Sequence, residues 1–289
     1  FFDKRSKFVH YRPRTLTINN LEFDHADIFD NLATIQRQFH HLLRCVPAEG
    51  LVVHAADTPA IEEVLAMGCW SKRESFALGD TPGAHWRAQL QRGDGSAVSV
   101  ESPDGSQAGV DWGYCGDHNV ANALAAIAAA RHVGVPPALA ADALARFGGV
   151  KRRLELLGTV AGVEVYDDFA HHPTAIATTL QGLRARGGDG RLLALIEPRS
   201  NTMRMGEHRG KLVTALADAD RVYWYQPPGM DWSLQGLASD SGVPAAVAED
   251  VDELAAQVAA ESEPGDRIVV MSNGGFGGIH QKLLRQLEL

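Results

Sequence analysis

Basic charge is scarce in this sequence. Its 27 lysines and arginines stand against 36 aspartates and glutamates, which gives a formal net charge of −9 over 289 residues. No basic block rises above this background. Because nucleic-acid binding depends on lysines and arginines that neutralise phosphates, we expect no nucleic-acid partner.

Cysteines and long hydrophobic runs are also scarce. Cys45, Cys69 and Cys115 are widely separated and form no Cys-x-x-Cys pair. Such spacing favours thiols over disulfides and indicates a reducing, cytoplasmic compartment. The longest apolar stretches fall short of the roughly 20 residues that span a bilayer, so we expect no membrane partner.

The composition that remains is that of an ordinary globular protein. Hydrophobic residues make up 45% of the chain and charged residues 22%, which is enough apolar material for a core. The length favours two domains. Glycines and a basic cluster interrupt the pattern at residues 149–153, and this predicts a boundary between residues 149 and 150.

Strand-like and helix-like segments alternate along most of the chain, which predicts an α/β fold with a parallel, doubly wound sheet. The expected strands lie at 16–21, 50–55, 160–166, 192–196, 221–225 and 267–271. The expected helices lie at 28–43, 58–67, 119–133, 137–147, 174–184, 209–217, 251–260 and 279–287. Between residues 76 and 114, glycine and Asp-Gly turns separate short alternating runs, which indicates an antiparallel appendage.

Two polar clusters stand out in the first half of the chain. Asp24-His25-Ala26-Asp27 follows the first strand, and its imidazole and carboxylates could bind a divalent cation; Asp24 or Asp27 could instead cap a helix. At 116–122, His118, Asn119 and Asn122 occupy the first turns of a helix. Their donors and acceptors could read a purine edge, although helix capping would account for one of them.

A third cluster, Asp167-Asp168-Phe169-Ala170-His171-His172, follows the expected strand at 160–166. Ligands of open α/β sheets collect at the carboxyl ends of strands. These acids and imidazoles could therefore hold ribose hydroxyls, a metal ion or a reacting carboxylate. The alternative is a capped helix start, because Pro173 suits a first turn and an acid favours a helix N-terminus.

Three arginines and a glycine-rich turn complete the candidates. Arg153 follows the glycine hinge, where its planar fork could bond a phosphate, whereas Lys151 and Arg152 are interpreted as a solvated basic run. Arg199 and Arg204 follow the strand at 192–196 and could clamp a carboxylate, or simply belong to a surface loop. The Ser272–Gly278 segment would let backbone approach a ligand closely.

Several of these segments resemble those of the Mur ligase family and occur in the same order. They are Asn20–Asp27, Gly116–Leu124, Arg152–Glu155 and Asp167–Thr174. The Phe1–Phe8 and Glu197–Gly206 segments point to the branch of the family that ligates a complete peptide. The resemblance implies an α/β fold. Residues 1–149 would be the remainder of a central ATPase domain with an antiparallel appendage, and 150–289 a Rossmann-like C-terminal ligase domain.

The resemblance also implies an activity. Such a ligase uses ATP and Mg²⁺ to phosphorylate the carboxylate of UDP-N-acetylmuramate. The amine of a recycled tripeptide, L-alanyl-γ-D-glutamyl-meso-diaminopimelate, then attacks the acyl phosphate. This chemistry would serve cell-wall recycling in the bacterial cytoplasm.

The nucleotide side of the site follows from the resemblance residue by residue. His25 would be a magnesium ligand. His118, Asn119 and Asn122 would hold the adenine. Asp168 would meet the ribose hydroxyls.

The reacting side follows in the same way. Arg153 would meet the γ-phosphate, and His171 would lie near the reacting groups. Arg199 and Arg204 would receive peptide carboxylates. This assignment suits phosphoryl transfer, which needs positioning and cationic groups more than a protein nucleophile.

The sequence departs from the family pattern in one large respect. The family's Gly-Lys-Thr/Ser phosphate loop, its magnesium-binding glutamate and its UDP-binding domain would all precede Phe1, so we expect this chain to be inactive on its own. No lysine lies between Asp27 and Arg44, where some relatives carry a carbamoylated one.

Two other functions stay open at this point. One is a non-catalytic peptide-binding module that keeps Arg199 and Arg204. The other is a metal hydrolase that uses His25, His171 and His172, although these histidines fall in different predicted domains.

Overall fold

The computed structural model describes residues 6–230 and 232–289. The chain divides into two compact units, Phe1–Phe147 and Gly148–Leu289. This division falls within two residues of the boundary expected between 149 and 150.

The first unit is built on one six-stranded sheet. Its strands follow chain order across the sheet, as β1-β2-β3-β4-β5-β6. They are β1 Thr15–Ile18, β2 Leu51–Ala55, β3 Lys72–Leu78, β4 Trp86–Leu90, β5 Ala97–Glu101 and β6 Gln107–Asp111. The first four strands are parallel, and β5 and β6 continue the sheet in antiparallel pairing.

Helices cover both faces of this sheet. They are α1 Leu32–Leu43, α2 Pro59–Ala66, α3 Asp117–His132 and α4 Pro137–Ala145, after a 3-10 turn at Lys7–His10. Alternation along β2 shows why two layers are needed: Val52 packs with α1 and α2, whereas Val53 packs with α3 and α4. Successive strand residues point to opposite faces, so a strand that is apolar at every position is buried on both sides.

Two expectations for the first unit need correction in detail. The expected antiparallel appendage is not separate: β4 pairs in parallel with β3, and the antiparallel strands β5 and β6 continue the same sheet. Helix α1 begins at Leu32, not at residue 28. The Asn31 side chain accepts a hydrogen bond from the Thr34 amide at 3.0 Å, which caps the helix, and Ile28 is 68% exposed.

The second unit contains a second six-stranded sheet, in the order β11-β10-β9-β12-β8-β7. The strands are β7 Glu155–Val160, β8 Val163–Asp168, β9 Leu192–Ile196, β10 Arg221–Tyr225, β11 Ala245–Ala248 and β12 Arg267–Met271. All neighbours are parallel except the β7–β8 hairpin.

Helices again cover both faces. They are α5 Pro173–Ala185, α6 Asn201–Met205, α7 Arg209–Ala215, α8 Leu234–Asp240, α9 Val251–Glu261 and α10 Ile279–Leu287, with a 3-10 turn at Phe276–Gly278. Leu192, Ala194 and Ile196 pack with α5, α7 and α8, whereas Leu193 and Leu195 pack with α9 and α10. The fully buried strand β9 is therefore apolar throughout.

The expected strand at 160–166 was wrong in extent. Val160 ends β7 and pairs with Val163 across a two-residue turn. Ala161 and Gly162 both have positive φ, 51° and 80°, as the tight turns that match the twist of a hairpin require. Helices α6 and α8 and strand β11 were missed, because each is only four to seven residues long.

Two further sequence features can be compared with the structure. No disulfide joins Cys45, Cys69 and Cys115, all of which are described. Among residues 6–230 and 232–289, no helix has both the length and the apolar character needed to cross a bilayer.

A close backbone approach ahead of β9 gives a test of the second unit. A Cβ at Gly190 would overlap the carbonyl of Gly265, and backbone cannot move aside as a flexible side chain can. We expect Gly190→Ala to lower the free energy of unfolding by about 2–3 kcal/mol, measured by urea denaturation.

Gly210→Ala is the matched control. Gly210 lies in α7 with open space around it, and alanine there should stabilise the helix by about 0.5–1 kcal/mol. Equal stability of the two variants would contradict the close approach.

Candidate active site

The polar segments of the second unit meet at one edge of its sheet. Met271 at the end of β12 pairs with Asp168 on one side and with Ile196 on the other. The three strands therefore end side by side, and the residues that follow them begin at the same edge of the sheet. This edge carries the carboxyl ends of parallel strands, where ligands of open α/β sheets bind.

Asp168 bonds the linker, residues 148–154 ahead of β7, to this edge. The side chain is 5% exposed, and its oxygens accept hydrogen bonds from the amides of Leu154 at 2.7 Å and Ala170 at 2.8 Å. Burial raises the pKa of the Asp168 carboxyl above its ordinary value, although these backbone hydrogen bonds act in the opposite direction. These two hydrogen bonds give Asp168 a structural role. Each of its oxygens keeps a second lone pair that could accept from a ribose hydroxyl, and this ribose contact stays a prediction.

Arg152 is half-buried and makes several hydrogen bonds, so its interpretation as part of a solvated run was wrong. Its Nε donates to Asp167 Oδ2 at 3.2 Å, and its Nη2 donates to the carbonyls of Ser272 and Gly274. Its backbone has a φ of 61°, stabilised by a hydrogen bond from its amide to Glu155 Oε2 at 2.8 Å. The sequence offered one signal for this role of Arg152: Asp167 and Asp168 end a buried strand, and a buried carboxylate needs a partner.

Arg153 is presented to solvent beside this anchor. Its guanidinium lies 5.3 Å from the Phe169 ring centroid, and that of Arg152 lies 5.1 Å from the same ring. A cation over an aromatic face is attracted by the ring quadrupole. Arg153 is exposed, so its planar fork can meet an anion at this edge.

The two histidines of this segment differ in their roles. His171 Nδ1 lies 2.8 Å from the Phe169 carbonyl, which can only accept. The neutral ring therefore carries its proton on Nδ1 and offers Nε2 as an acceptor. His172 Nδ1 accepts from the Thr174 amide at 3.3 Å and caps α5. The capped helix start with Pro173 in its first turn is thus confirmed, but the cap is His172 and not an acid, whereas His171 faces the cluster around Phe169.

Arg199 is held by a buried acid and a glycine. Its Nη1 lies 3.6 Å from Glu197 Oε1, and the Glu197 carboxylate, 5% exposed, also accepts a hydrogen bond from Ser272 Oγ. A Cβ on Gly274 would overlap the Arg199 side chain. The close approach expected of the glycine-rich turn is thus an approach to Arg199. Glu197 and Ser272 were not singled out from the sequence.

Arg204 lies further along the same edge. Its Nη2 donates to the Gly229 carbonyl at 2.8 Å, and its own carbonyl accepts from Trp232 Nε1 at 2.8 Å. The structure therefore joins Arg153, Asp168 and His171 around Phe169, and links Arg199 to them through Gly274. Arg204, in α6, instead contacts the loop after β10.

In the first unit, His25 lies in an exposed turn with a φ of 56°. Its amide donates to Asp24 Oδ1 at 2.7 Å. Across the described part of the chain, no three His, Cys, Asp or Glu side chains come together to hold a metal ion. The described residues therefore form no three-ligand cluster in support of the hydrolase alternative. The role of His25 as a magnesium ligand stays a prediction.

The start of α3 suits a heteroaromatic edge. Gly116 precedes it with a φ of 90°, a conformation that favours glycine. Asn119 Nδ2 donates to the Cys115 carbonyl at 2.8 Å, and Asn122 Oδ1 accepts from Asn19 Nδ2 at 2.7 Å. Asn119 can thus still offer Oδ1, and Asn122 can offer Nδ2. This acceptor and donor would complement an adenine edge, with His118 beside them on the helix.

Comparisons with known proteins bear on both units. The Mur ligase middle domain family matches residues 3–130, and the Mur ligase glutamate ligase domain family matches residues 152–274. The chain belongs to the Mur ligase family.

This Mur ligase is similar to two curated proteins, each a UDP-N-acetylmuramate–L-alanyl-gamma-D-glutamyl-meso-2,6-diaminoheptandioate ligase. Identity to the Escherichia coli (strain K12) protein is 54%, over 98% of this chain and 62% of the relative. Identity to the Haemophilus influenzae protein is 49%, over 100% of this chain and 63% of the relative. The chain thus spans less than two thirds of the length of these relatives.

A solved structure agrees with this relationship. The crystal structure of a murein peptide ligase from Psychrobacter arcticus 273-4 superposes with a TM-score of 0.72 at 46% identity, over 100% of this chain and 60% of that one. The α/β fold with two mainly parallel sheets is therefore that of the Mur ligase middle and C-terminal domains.

The buried carboxylate of this Mur ligase gives a pH test. The raised pKa means that folded Asp168 binds a proton more readily than unfolded Asp168, so its contribution to stability falls as pH rises above about 4. Asp168→Asn removes this titration and one of the two backbone hydrogen bonds, at a cost of about 1–3 kcal/mol. We expect the stability advantage of the wild type over the variant to shrink above pH 4 and then level off, measured by urea denaturation at each pH.

Asp189→Asn removes a carboxylate from an exposed loop and serves as the control. An advantage of the wild type over Asp168→Asn that grows with pH would show that burial does not dominate at Asp168.

Proposed function

We propose that the protein joins the N-terminal amine of L-alanyl-γ-D-glutamyl-meso-diaminopimelate to the carboxylate of UDP-N-acetylmuramate, at the expense of ATP, in cell-wall recycling. The activity for which the two curated relatives are named supports these substrates. The observation that carries the proposal is the arrangement of arginines at one sheet edge, with Arg152 anchored, Arg153 exposed and Arg199 held by Glu197.

The first step forms an acyl phosphate. A carboxylate oxygen of UDP-N-acetylmuramate bonds to the γ-phosphorus of ATP, and the bond between that phosphorus and the β–γ bridging oxygen breaks to release ADP. Negative charge spreads over the transferred oxygens, and a cation fixed beside them lowers the barrier. Arg153 supplies this cation, while Arg152 and Phe169 fix its position. Mur ligases generally use Mg²⁺ with ATP.

The second step forms the amide. The peptide amine bonds to the acyl carbon, and collapse of the tetrahedral intermediate breaks the bond to phosphate. The nitrogen loses one proton in this step, and His171 Nε2 is the acceptor for it. Proton transfer through a positioned imidazole contributes typically 10²–10⁴-fold.

The adenine end of ATP is assigned to the first unit. Asn119 and Asn122 offer the acceptor and the donor described above, and His118 lies beside them. The ribose is assigned to Asp168. The acceptor carboxylates are assigned to Arg199 and Arg204, and His25 to the magnesium ion.

The complete gene product provides the test of this proposal. With ATP, UDP-N-acetylmuramate and the tripeptide, we expect equal amounts of ADP and UDP-N-acetylmuramoyl-tripeptide, quantified by chromatography and mass spectrometry. Arg153→Met should lower kcat by about 10²–10³-fold, as loss of a cationic group at a developing charge does. Tripeptide binding without any product would favour the peptide-binding module instead.

Lys151→Met is the matched control for charge. Lys151 is exposed and two residues away, so its loss should leave kcat within about twofold, as expected for a surface change. Equal losses in the two variants would remove Arg153 from the reaction.

Adjacent glycines test the placement of Arg199. In Gly274→Ala the added methyl group would displace the flexible Arg199 side chain, at little cost in stability. We expect a rise of about tenfold in the KM for tripeptide, equivalent to the loss of one charged hydrogen bond, with the KM for ATP unchanged.

Gly275→Ala is the control, because nothing lies within 4 Å of its added Cβ. An unchanged tripeptide KM in Gly274→Ala would contradict the assignment of Arg199 to the acceptor.

A further inference from the structure

The second unit contains a hollow of about 340 Å³ at the ends of β10 and β11. Its lining is mainly polar, with apolar patches from Met230, Trp232 and Val247; the polar residues are Gln226, Ser233, Gln235 and Glu249. Gln226 follows β10 and Glu249 follows β11 directly. The hollow therefore opens at the same sheet edge as Arg153, Asp168 and Arg199.

The walls of the hollow are fixed by hydrogen bonds. Gln226 Nε2 donates to the Trp232 carbonyl at 3.1 Å, and its Oε1 accepts from the Leu234 amide at 2.8 Å. Trp232 Nε1 donates to the Arg204 carbonyl, and the Arg209 guanidinium lies 4.2 Å from the Trp232 ring. A site held in this way loses little conformational entropy when a ligand binds.

Charges of both signs lie at the hollow. Arg204 lies beside it, because its Nη2 donates to the Gly229 carbonyl at 2.8 Å and its carbonyl accepts from the lining residue Trp232. Glu249 is an exposed carboxylate in the lining itself. A ligand that suits this hollow has an apolar middle, an anionic group and a cationic group.

We propose that the hollow receives the diaminoheptanedioate end of the acceptor peptide, with Glu249 as the partner of its free ammonium group. This inference rests on the proposed function. One amine of 2,6-diaminoheptanedioate is acylated in the tripeptide, which leaves one ammonium, two carboxylates and a chain of methylenes. The methylenes pack on Met230, Trp232 and Val247, and Arg204 meets a carboxylate.

The distance across the sheet agrees with the length of the peptide. The order β10-β9-β12-β8 places three strand spacings between His171 and the hollow, or about 14 Å at about 4.8 Å each. Three extended residues reach about 10 Å, and the γ-linkage and the diaminoheptanedioate arm extend further. The reacting amine and the far end of one peptide can thus occupy both places, with Arg199 between them in the loop that follows β9.

Acceptor selectivity in the complete gene product tests this subsite. We expect Glu249→Gln to raise the KM for the diaminopimelate tripeptide by about tenfold, the worth of one charged hydrogen bond, with kcat unchanged. The KM for the dipeptide L-alanyl-γ-D-glutamate, which lacks the third residue, should not change. Glu249→Lys should raise the tripeptide KM further, because it places a like charge beside the ammonium.

Glu288→Gln, at the exposed end of α10, is the control for loss of one negative charge. An equal KM effect on tripeptide and dipeptide, or no effect on either, would overturn the role of Glu249 while ligation itself persists. Absence of ligation in the wild type would instead reject the proposed function. Thermal melting of each variant separates loss of folding from loss of the subsite.

Discussion

The structure of the candidate site depends on one buried carboxylate. Asp168 ends a central strand, and its two oxygens bond the amide of Leu154 in the linker and the amide of Ala170 in the loop. Burial of a charge is costly unless hydrogen bonds compensate it, so the linker and the loop must both stay in place for Asp168 to remain buried. Arg153 is adjacent to Leu154 and His171 is adjacent to Ala170, so these two hydrogen bonds also position Arg153 and His171.

The arginine pair shows how the constraint becomes a site. Arg152 and Leu154 both have positive φ, 61° and 52°, which costs non-glycine residues about 1–3 kcal/mol each. The hydrogen bonds of Arg152 to Asp167 and to the carbonyls of Ser272 and Gly274 offset that cost. One arginine thus satisfies buried acceptors, and this turns its neighbour Arg153 outward over Phe169.

Sequence periodicity predicted the regular elements well and the irregular ones poorly. Strands β9, β10 and β12 and helix α10 are confirmed to the residue, because each carries an uninterrupted apolar pattern. The β7–β8 hairpin was missed because its turn, Ala161-Gly162, lies inside an apolar run. Short α6, α8 and β11 have too few residues for a period to show.

The candidate residues divide in a similar way. Polar residues directly after a strand, such as Asp168 and Glu197, can be placed at the sheet edge from the sequence alone. Their contacts cannot, because Arg152 reaches carbonyls 120 and 122 residues away and Gly274 matters only through the side chain that lies on it. Tertiary contacts of this kind leave no local pattern, and they explain why Arg152 was assigned to solvent.

The order of the strands sets the order of the polar groups along this edge. Strands β8 and β12, which carry Asp168 and Ser272, lie beside β7 and the linker, whereas β9, β10 and β11 lead away from them. Arg153 and His171, to which we assign the γ-phosphate and the reacting amine, therefore lie at one end of the edge, and Arg199 and Arg204 after β9 and Glu249 after β11 lie towards the other. A long acceptor with charges spaced along it suits the proposed role of such a row, because neighbouring strands lie about 4.8 Å apart and polar groups after successive strands lie at increasing distances from His171. An acceptor recognised only by its reacting amine would need none of these groups.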